Sequence, residues 1–285
     1  MKILKCCKLN LMQWRIQPKF LLMLVFYLLH ILDRMWTFRV FLQANDLKAA
    51  PWTLPALLGY NKGQWYLIAM LAFIFIICDA PFLNRQQQLV LQRVGKRQWI
   101  SGQLLYLVVL SFLFALVTWL CTWVFLLPEV EWTTQWGVGI QSATRNLNSF
   151  AVRPGMIVES AVLKNWSAPG ATAWVFLMQF LTGIFLGELV LVLNLWARRG
   201  IGVCIAIFLT VLSFTIRHFE GMAGYVKHLV FISPVNWTDL TMVGDAAEKQ
   251  PSLLYCVSFL LIFIVGLATL AITTIHRCNL DIDKE

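Results

Sequence analysis

The sequence predicts an all-α integral membrane protein with six transmembrane helices, and three observations carry that prediction. Hydrophobic residues fill 59% of the 285 positions and charged residues only 13%, about half the charged share of a soluble domain. One globular core cannot hide so large an apolar excess, because too little polar surface remains to cover it. The apolar residues fall in long runs, close to the ~20 residues that a helix needs to cross a bilayer. These runs do not alternate polar and apolar positions, as the strands of a spanning β-barrel would.

Six spans follow along the chain. The first covers 20–42 and contains Asp33, Arg34 and Arg39. The second, 65–83, has Asp79 near its end, and the third, 104–127, carries no charge. The fourth, 171–196, contains Glu188 and, six residues later, Asn194. The fifth, 201–216, is short, and the sixth, 252–275, is uncharged. Trp174 and Trp196 lie 22 residues apart, about 33 Å along a helix, which places one at each interface of a ~30 Å hydrocarbon core. Residues 20–285 thus form a single transmembrane domain.

Residues 1–19 read as a cytoplasmic amphipathic helix. Ile3, Leu4, Cys7, Leu11 and Trp14 share one side of a helical wheel, and Lys5, Lys8 and Arg15 lie towards the flanks and back. Such a helix rests in the plane of the leaflet, and Pro18 marks the turn into the membrane. The Cys6-Cys7 pair is also a candidate site for a lipid anchor.

Basic residues set the orientation. The N-terminal stretch, the loop after the second span, the loop after the fourth and the C-terminal tail together hold 13 basic and 3 acidic residues, whereas the opposite loops hold 8 of each. The positive-inside rule therefore places both termini in the cytoplasm, which requires an even number of spans. The net charge of +9 is a topology signal on this reading, and no nucleic-acid partner is expected.

Little of the sequence points to chemistry. GxxxxGK[ST] is absent, as are metal-ligand spacings such as HExxH and any nucleophile motif. No catalytic residue and no metal site are assigned, and the chain is not expected to be an enzyme. Charges inside spans are the better pointers, because each is costly in lipid and faces protein or water. Asp33, Arg34, Asp79, Glu188 and Asn194 are therefore candidates for a transport path or for pairing between helices. Towards the far end of the chain, Leu229-Val230-Phe231-Ile232 is too short to span and runs into Ser233-Pro234, the pattern of a re-entrant segment before the last helix. The external loop 128–170 is the longest, and a loop of that length usually carries structure of its own.

The loop after the second span reads Asn-Arg-Gln-Gln-Gln-Leu-Val-Leu-Gln-Arg-Val-Gly-Lys-Arg-Gln-Trp over 84–99. It is helix-compatible to Val94, and Gly95 permits a turn. Four features in order resemble the permease subunits of ABC-2-type transporters, the type V exporter fold. They are the amphipathic N-terminal helix, the turn Arg93-Val94-Gly95-Lys96-Arg97-Gln98-Trp99, the stretch Gly102-Gln103-Leu104-Leu105 leading into the third span, and Ser233-Pro234-Val235-Asn236-Trp237 before the sixth. The resemblance covers nearly the full length in topology. It implies a permease in the cell membrane that dimerises with a second copy or a homologous permease and is driven by separate ABC ATPase subunits. ATP and Mg would bind on that partner and no cofactor on this chain. The same resemblance makes Arg85, Gln87, Gln88, Gln92, Arg93, Gly95, Lys96 and Arg97 the coupling loop that seats on the ATPase, and Ser233, Pro234 and Trp237 the re-entrant segment. Many relatives carry an acidic residue where Gln86-Gln87-Gln88 stands here. The rival readings are an ion-gradient-driven secondary transporter and a non-transport membrane sensor or immunity protein.

Overall fold

The structure, a computed structural model, describes residues 2–13, 18–58, 64–82, 85–145, 155–197, 200–219, 226–244 and 250–277. In chain order the helices are α1 (Lys2–Gln13), α2 (Pro18–Ala44), α3 (Leu54–Leu58), α4 (Gln64–Ile77), α5 (Arg85–Val94) and α6 (Lys96–Val124). Then follow α7 (Gly137–Arg145), α8 (Ser160–Asn165), α9 (Ala168–Trp196), α10 (Ile201–Phe219), α11 (Val226–Leu229) and α12 (Leu253–Thr274). No β-strand occurs among the described residues; a single bridge joins Ala49 and Val130.

Four helices, α2, α6, α9 and α12, are long and apolar enough to cross a membrane. Their bounds lie within a few residues of the predicted spans, except that α6 begins eight residues early, at Lys96. The apolar stretches of α4 and α10, Trp65–Ile77 and Ile201–Ile216, are shorter. The 14 residues of α4 rise about 21 Å, short of a ~30 Å core. The second span was expected to continue to residue 83. It stops at Ile77 because Pro81 has no N–H to donate and its ring disfavours helical backbone just before it. Asp79 is held in the turn by an ion pair with Lys19.

The six apolar helices run alternately between two ends of one bundle. At the basic end, Lys19 at the start of α2 meets Asp79 after α4, Asn194 near the end of α9 meets Ala80, and Trp196 donates to Thr274 of α12. At the far end, Gln43 in the last turn of α2 meets Glu129 after α6, and Trp174 near the start of α9 donates to the Trp237 carbonyl. α9 runs through the centre. Gly183 meets Ser111 and Gly187 meets Leu107, both on α6, while Phe185 packs edge-on against Phe263 of α12. Small residues let helices approach where no hydrophobic force drives them together in lipid.

The far end is capped. The long loop does carry structure of its own, α7 and α8. The bridge to Ala49 and the bond from Trp52 Nε1 to the Thr133 carbonyl at 2.6 Å tie it to the shorter loop. All five residues of α3 are buried, packed against α4, α6 and α9.

Candidate functional site

The densest long-range polar contact lies at the basic end. Gly95 has a φ of +89°, a conformation open to glycine, and reverses the chain between α5 and α6. That reversal folds α5 back on the first turns of α6. Trp99 Nε1 donates to Gln87 Oε1 at 2.9 Å, Gln87 Nε2 donates to Asn10 Oδ1 at 2.6 Å, and Asn10 Nδ2 donates to Gln103 Oε1 at 2.7 Å. All four side chains are buried. One chain of hydrogen bonds therefore ties α1, α5 and α6 together, across partners as much as 93 residues apart.

This arrangement corrects one expectation. Gln87, read as part of an outward contact surface, points inward and is the hub of the network. The described part of α1 runs from Lys2 to Gln13, and Trp14 lies outside the described residues. Its buried side is Cys6, Cys7 and Asn10, while Leu4 is 65% and Met12 58% exposed. The cause is Gly102: a Cβ there would stand 2.5 Å from Cys6 Cβ and 3.3 Å from the Ile3 carbonyl oxygen. Without that atom the two backbones close, and Asn10 reaches its partners. Cys6 and Cys7 are buried by the same contact, which removes them as lipid-attachment sites while α1 is docked. The signal for this in the sequence was weak: Asn10 stands among buried positions of α1, opposite a Gly-Gln pair 92 residues on.

The remaining coupling-loop candidates divide by position. Leu89 is 60% exposed, and Gln92, Arg93, Gly95 and Arg97 are also exposed. Gln88 and Lys96 are half-buried, and the side chain of Arg85 lies outside the described residues. Arg97 Nε donates to His276 Nε2 at 2.9 Å, and Lys96 Nζ to the His276 carbonyl at 3.5 Å. The end of α12 is thereby fastened to the same turn. Replacing Gln87 by leucine leaves the Trp99 N–H and the Asn10 side-chain carbonyl orphaned, at about 1–3 kcal/mol for each buried group. Thermal unfolding in detergent is expected to show that loss, and an unchanged melting temperature would contradict the network.

Apart from the sequence neighbours Asp33 and Arg34, the intramembrane candidates are not brought together among the described residues. Asp79 pairs with Lys19 at the basic end. Arg34 lies 3.7 Å from Asp33, and its guanidinium sits over the Trp65 ring of α4, 3.8 Å from the centroid, a cation–π contact. Asn194 donates to the Ala80 carbonyl at 2.8 Å and accepts from the N–H groups of Gly200 and Gly202, so it caps the first turn of α10. Glu188 stands apart. It is 2% exposed, it forms no ion pair among the described residues, and its Oε2 has no hydrogen-bond partner.

Ser233 links two short 3-10 turns, Val230–Ile232 and Pro234–Thr238, and Pro234 and Trp237 lie in the second, which packs against α9, α10 and α12. Trp237 is fully buried. Its Nε1 donates to the Val230 carbonyl at 2.8 Å, and its ring meets Tyr255 and Phe259 edge-on. Ser233 Oγ donates to Ser213 Oγ at 2.6 Å and accepts from Asn236 Nδ2 at 3.0 Å. The irregular backbone is thus folded in among helices, the setting in which a membrane protein tolerates it.

Fold and composition together define a multi-pass helical membrane protein. No family model, curated protein or solved structure matches the chain.

Proposed function

We propose that the chain is the membrane-spanning permease subunit of an ATP-driven exporter of the ABC-2 type, working as a dimer with separate ATPase subunits. The buried Asn10–Gln87–Trp99–Gln103 network supports this reading best. It holds α5 from behind, against α1 and α6, and leaves Leu89, Gln92 and Arg93 on the outward side. A partner seated on that strip pushes on a braced element, and the load passes into α6, which is long enough to cross the bilayer. ATP and Mg act on the partner, whose nucleotide state biases the two-state equilibrium of the membrane part.

On this reading α4 and α10 complete six crossings, both termini face the cytoplasm of the cell, and residues 229–237 form a re-entrant segment. α4 is buried among its neighbours over most of its length, and α10 keeps an exposed apolar face at Ile205, Phe208 and Val211. Copurification in mild detergent tests the proposal, with recovery of a Walker-motif ATPase as the expected result. A purified chain that hydrolyses ATP by itself contradicts it, and so does a reporter fusion that places 85–97 outside the cell.

The buried Glu188, whose Oε2 has no hydrogen-bond partner among the described residues, favours a second reading, an ion-gradient-driven transporter, since such proteins place ionisable groups near the midplane. Transport that persists without any ATPase and stops with an uncoupler decides for it.

A further inference from the structure

One face of α12 carries a shallow apolar groove of about 610 Å³. It runs from Leu261 to Thr273, with Ile262, Val265, Gly266 and Thr269 between them. Gly266 opens it: a Cβ at that position would meet no atom within 4 Å. The Thr269 and Thr273 hydroxyls donate to the Val265 and Thr269 carbonyls of the helix itself, so the groove keeps its apolar character. From Leu261 to Thr273 the helix rises about 18 Å, close to one leaflet's share of a ~30 Å hydrocarbon core.

The groove ends at a group of cations. His276 is exposed and stands three residues beyond Thr273, a spacing that puts two residues on one side of a helix. Arg97 Nε donates to its Nε2 and Lys96 Nζ to its carbonyl. The Arg97 contact is with a histidine nitrogen and not a carboxylate, so the guanidinium charge is not cancelled there, and no ion pair of Arg97 occurs among the described residues. At the same level Trp196, 54% exposed, donates to Thr274. An exposed Trp at the end of a span belongs at headgroup depth. The exposed apolar face of α2 differs, because Lys19 at its foot is already matched by Asp79.

We infer that the α12 groove and the Lys96–Arg97–His276 cluster form a binding site for one anionic phospholipid of the leaflet at the basic end. An acyl chain lies along Leu261–Thr273, and the phosphate meets Arg97 and Lys96. Basic pockets between spanning helices recognise such headgroups, and a guanidinium matches phosphate oxygens as a fork. Nε is the atom engaged by His276, so the two terminal nitrogens are those that a phosphate meets. The lipid then joins the foot of α12 to the turn between α5 and α6. The site rests on α12 crossing a bilayer and not on the exporter reading, whose ATPase strip is Leu89, Gln92 and Arg93.

Native mass spectrometry of the full-length protein, released from detergent, tests it. The probes are dioleoyl phosphatidylglycerol, an anion, and dioleoyl phosphatidylcholine, its zwitterionic match. The first phosphatidylglycerol is expected to bind about tenfold more tightly than the first phosphatidylcholine, from two cations near the surface. Arg97→Gln is expected to cut that preference about fivefold while leaving phosphatidylcholine binding as it is. Gly266→Leu fills the groove and weakens both lipids. Its new side chain enters open space, and leucine favours a helix more than glycine does, so the fold is kept. Val25→Leu, on the exposed face of α2, binds both lipids as the parent does. Equal affinity for the two lipids overturns the inference, and so does a preference retained in Arg97→Gln or parental binding by Gly266→Leu. Sodium phosphate that displaces the first phosphatidylglycerol, where sodium chloride of equal ionic strength does not, also overturns it by making the site one for a free anion.

Discussion

Replacing Gly102 by valine is expected to detach α1 from α6. A Cβ at that position meets the Cβ of Cys6 at 2.5 Å and the Ile3 carbonyl oxygen at 3.3 Å. These atoms belong to the helix itself or sit at the root of a side chain, so no rotamer change relieves the contact. Overpacking of this kind typically costs about 1–3 kcal/mol. Here it also separates Asn10 from Gln103 and Gln87, whose amides lose their buried partners.

The thiols of Cys6 and Cys7 report the event. Burial pushes both above the ordinary thiol range, and for Cys7 the neighbouring Cys6 pushes further in the same direction. A raised pKa means less thiolate at neutral pH, and the thiolate is the form that reacts. Maleimide labelling of the parent at neutral pH is therefore slow and accelerates as the pH rises. In Gly102→Val the thiols become solvated, their pKa values fall back, and labelling at neutral pH speeds up. A folded variant that labels at the parental rate would show that Gly102 does not hold α1 in place. If the proposed function holds, the same variant also recovers less ATPase, because α5 loses its brace.

The second large effect concerns Glu188. Its carboxyl is almost fully buried in α9, and Oε2 has no partner. An ionisable group at that depth is costly for the fold, and nothing among the described residues offsets that cost with an ion pair. Glu188→Gln keeps the shape and removes the charge, so its melting temperature is expected to equal or exceed that of the parent. Leu186→Ala, on the same helix and fully buried, provides the scale for a packing loss at about 2–5 kcal/mol. The pair separates two roles. A carboxyl retained for work on a transported molecule or ion loses activity on amidation without losing stability. A carboxyl retained as a structural strut loses stability, and a Glu188→Gln variant that melts as low as Leu186→Ala would assign it that role.

The helices were more legible in the sequence than the contacts between them. The long spans α2, α6, α9 and α12 were visible because hydropathy accumulates along a single helix and needs no knowledge of neighbours. α4 was read too long because a hydropathy window counts Pro81 and Phe82 as mildly or strongly apolar and is blind to a missing N–H. The turn at Gly95 was legible for a local reason, since glycine is tolerant of positive φ. The inward aim of Gln87 was not. Three consecutive glutamines look alike on paper, and what distinguishes the middle one is Asn10, 77 residues earlier, and Trp99, 12 residues later. The docking of α1 on α6 was not legible for a related reason: a helical wheel ranks side chains by polarity, whereas the docked face was selected by the absence of a side chain at Gly102.

By itself, then, the sequence determined the solvent, the helical class and the placement of the long spans, because the cost of exposing backbone and charge to lipid falls on each segment separately. The tertiary structure alone decided which polar side chains found partners: Asn10 with Gln87 and Gln103, Asn194 with the backbone around it, and Glu188 with none on Oε2. A hydrogen bond depends on distance and direction between groups far apart in the chain, and those are set by how closely the helices pack.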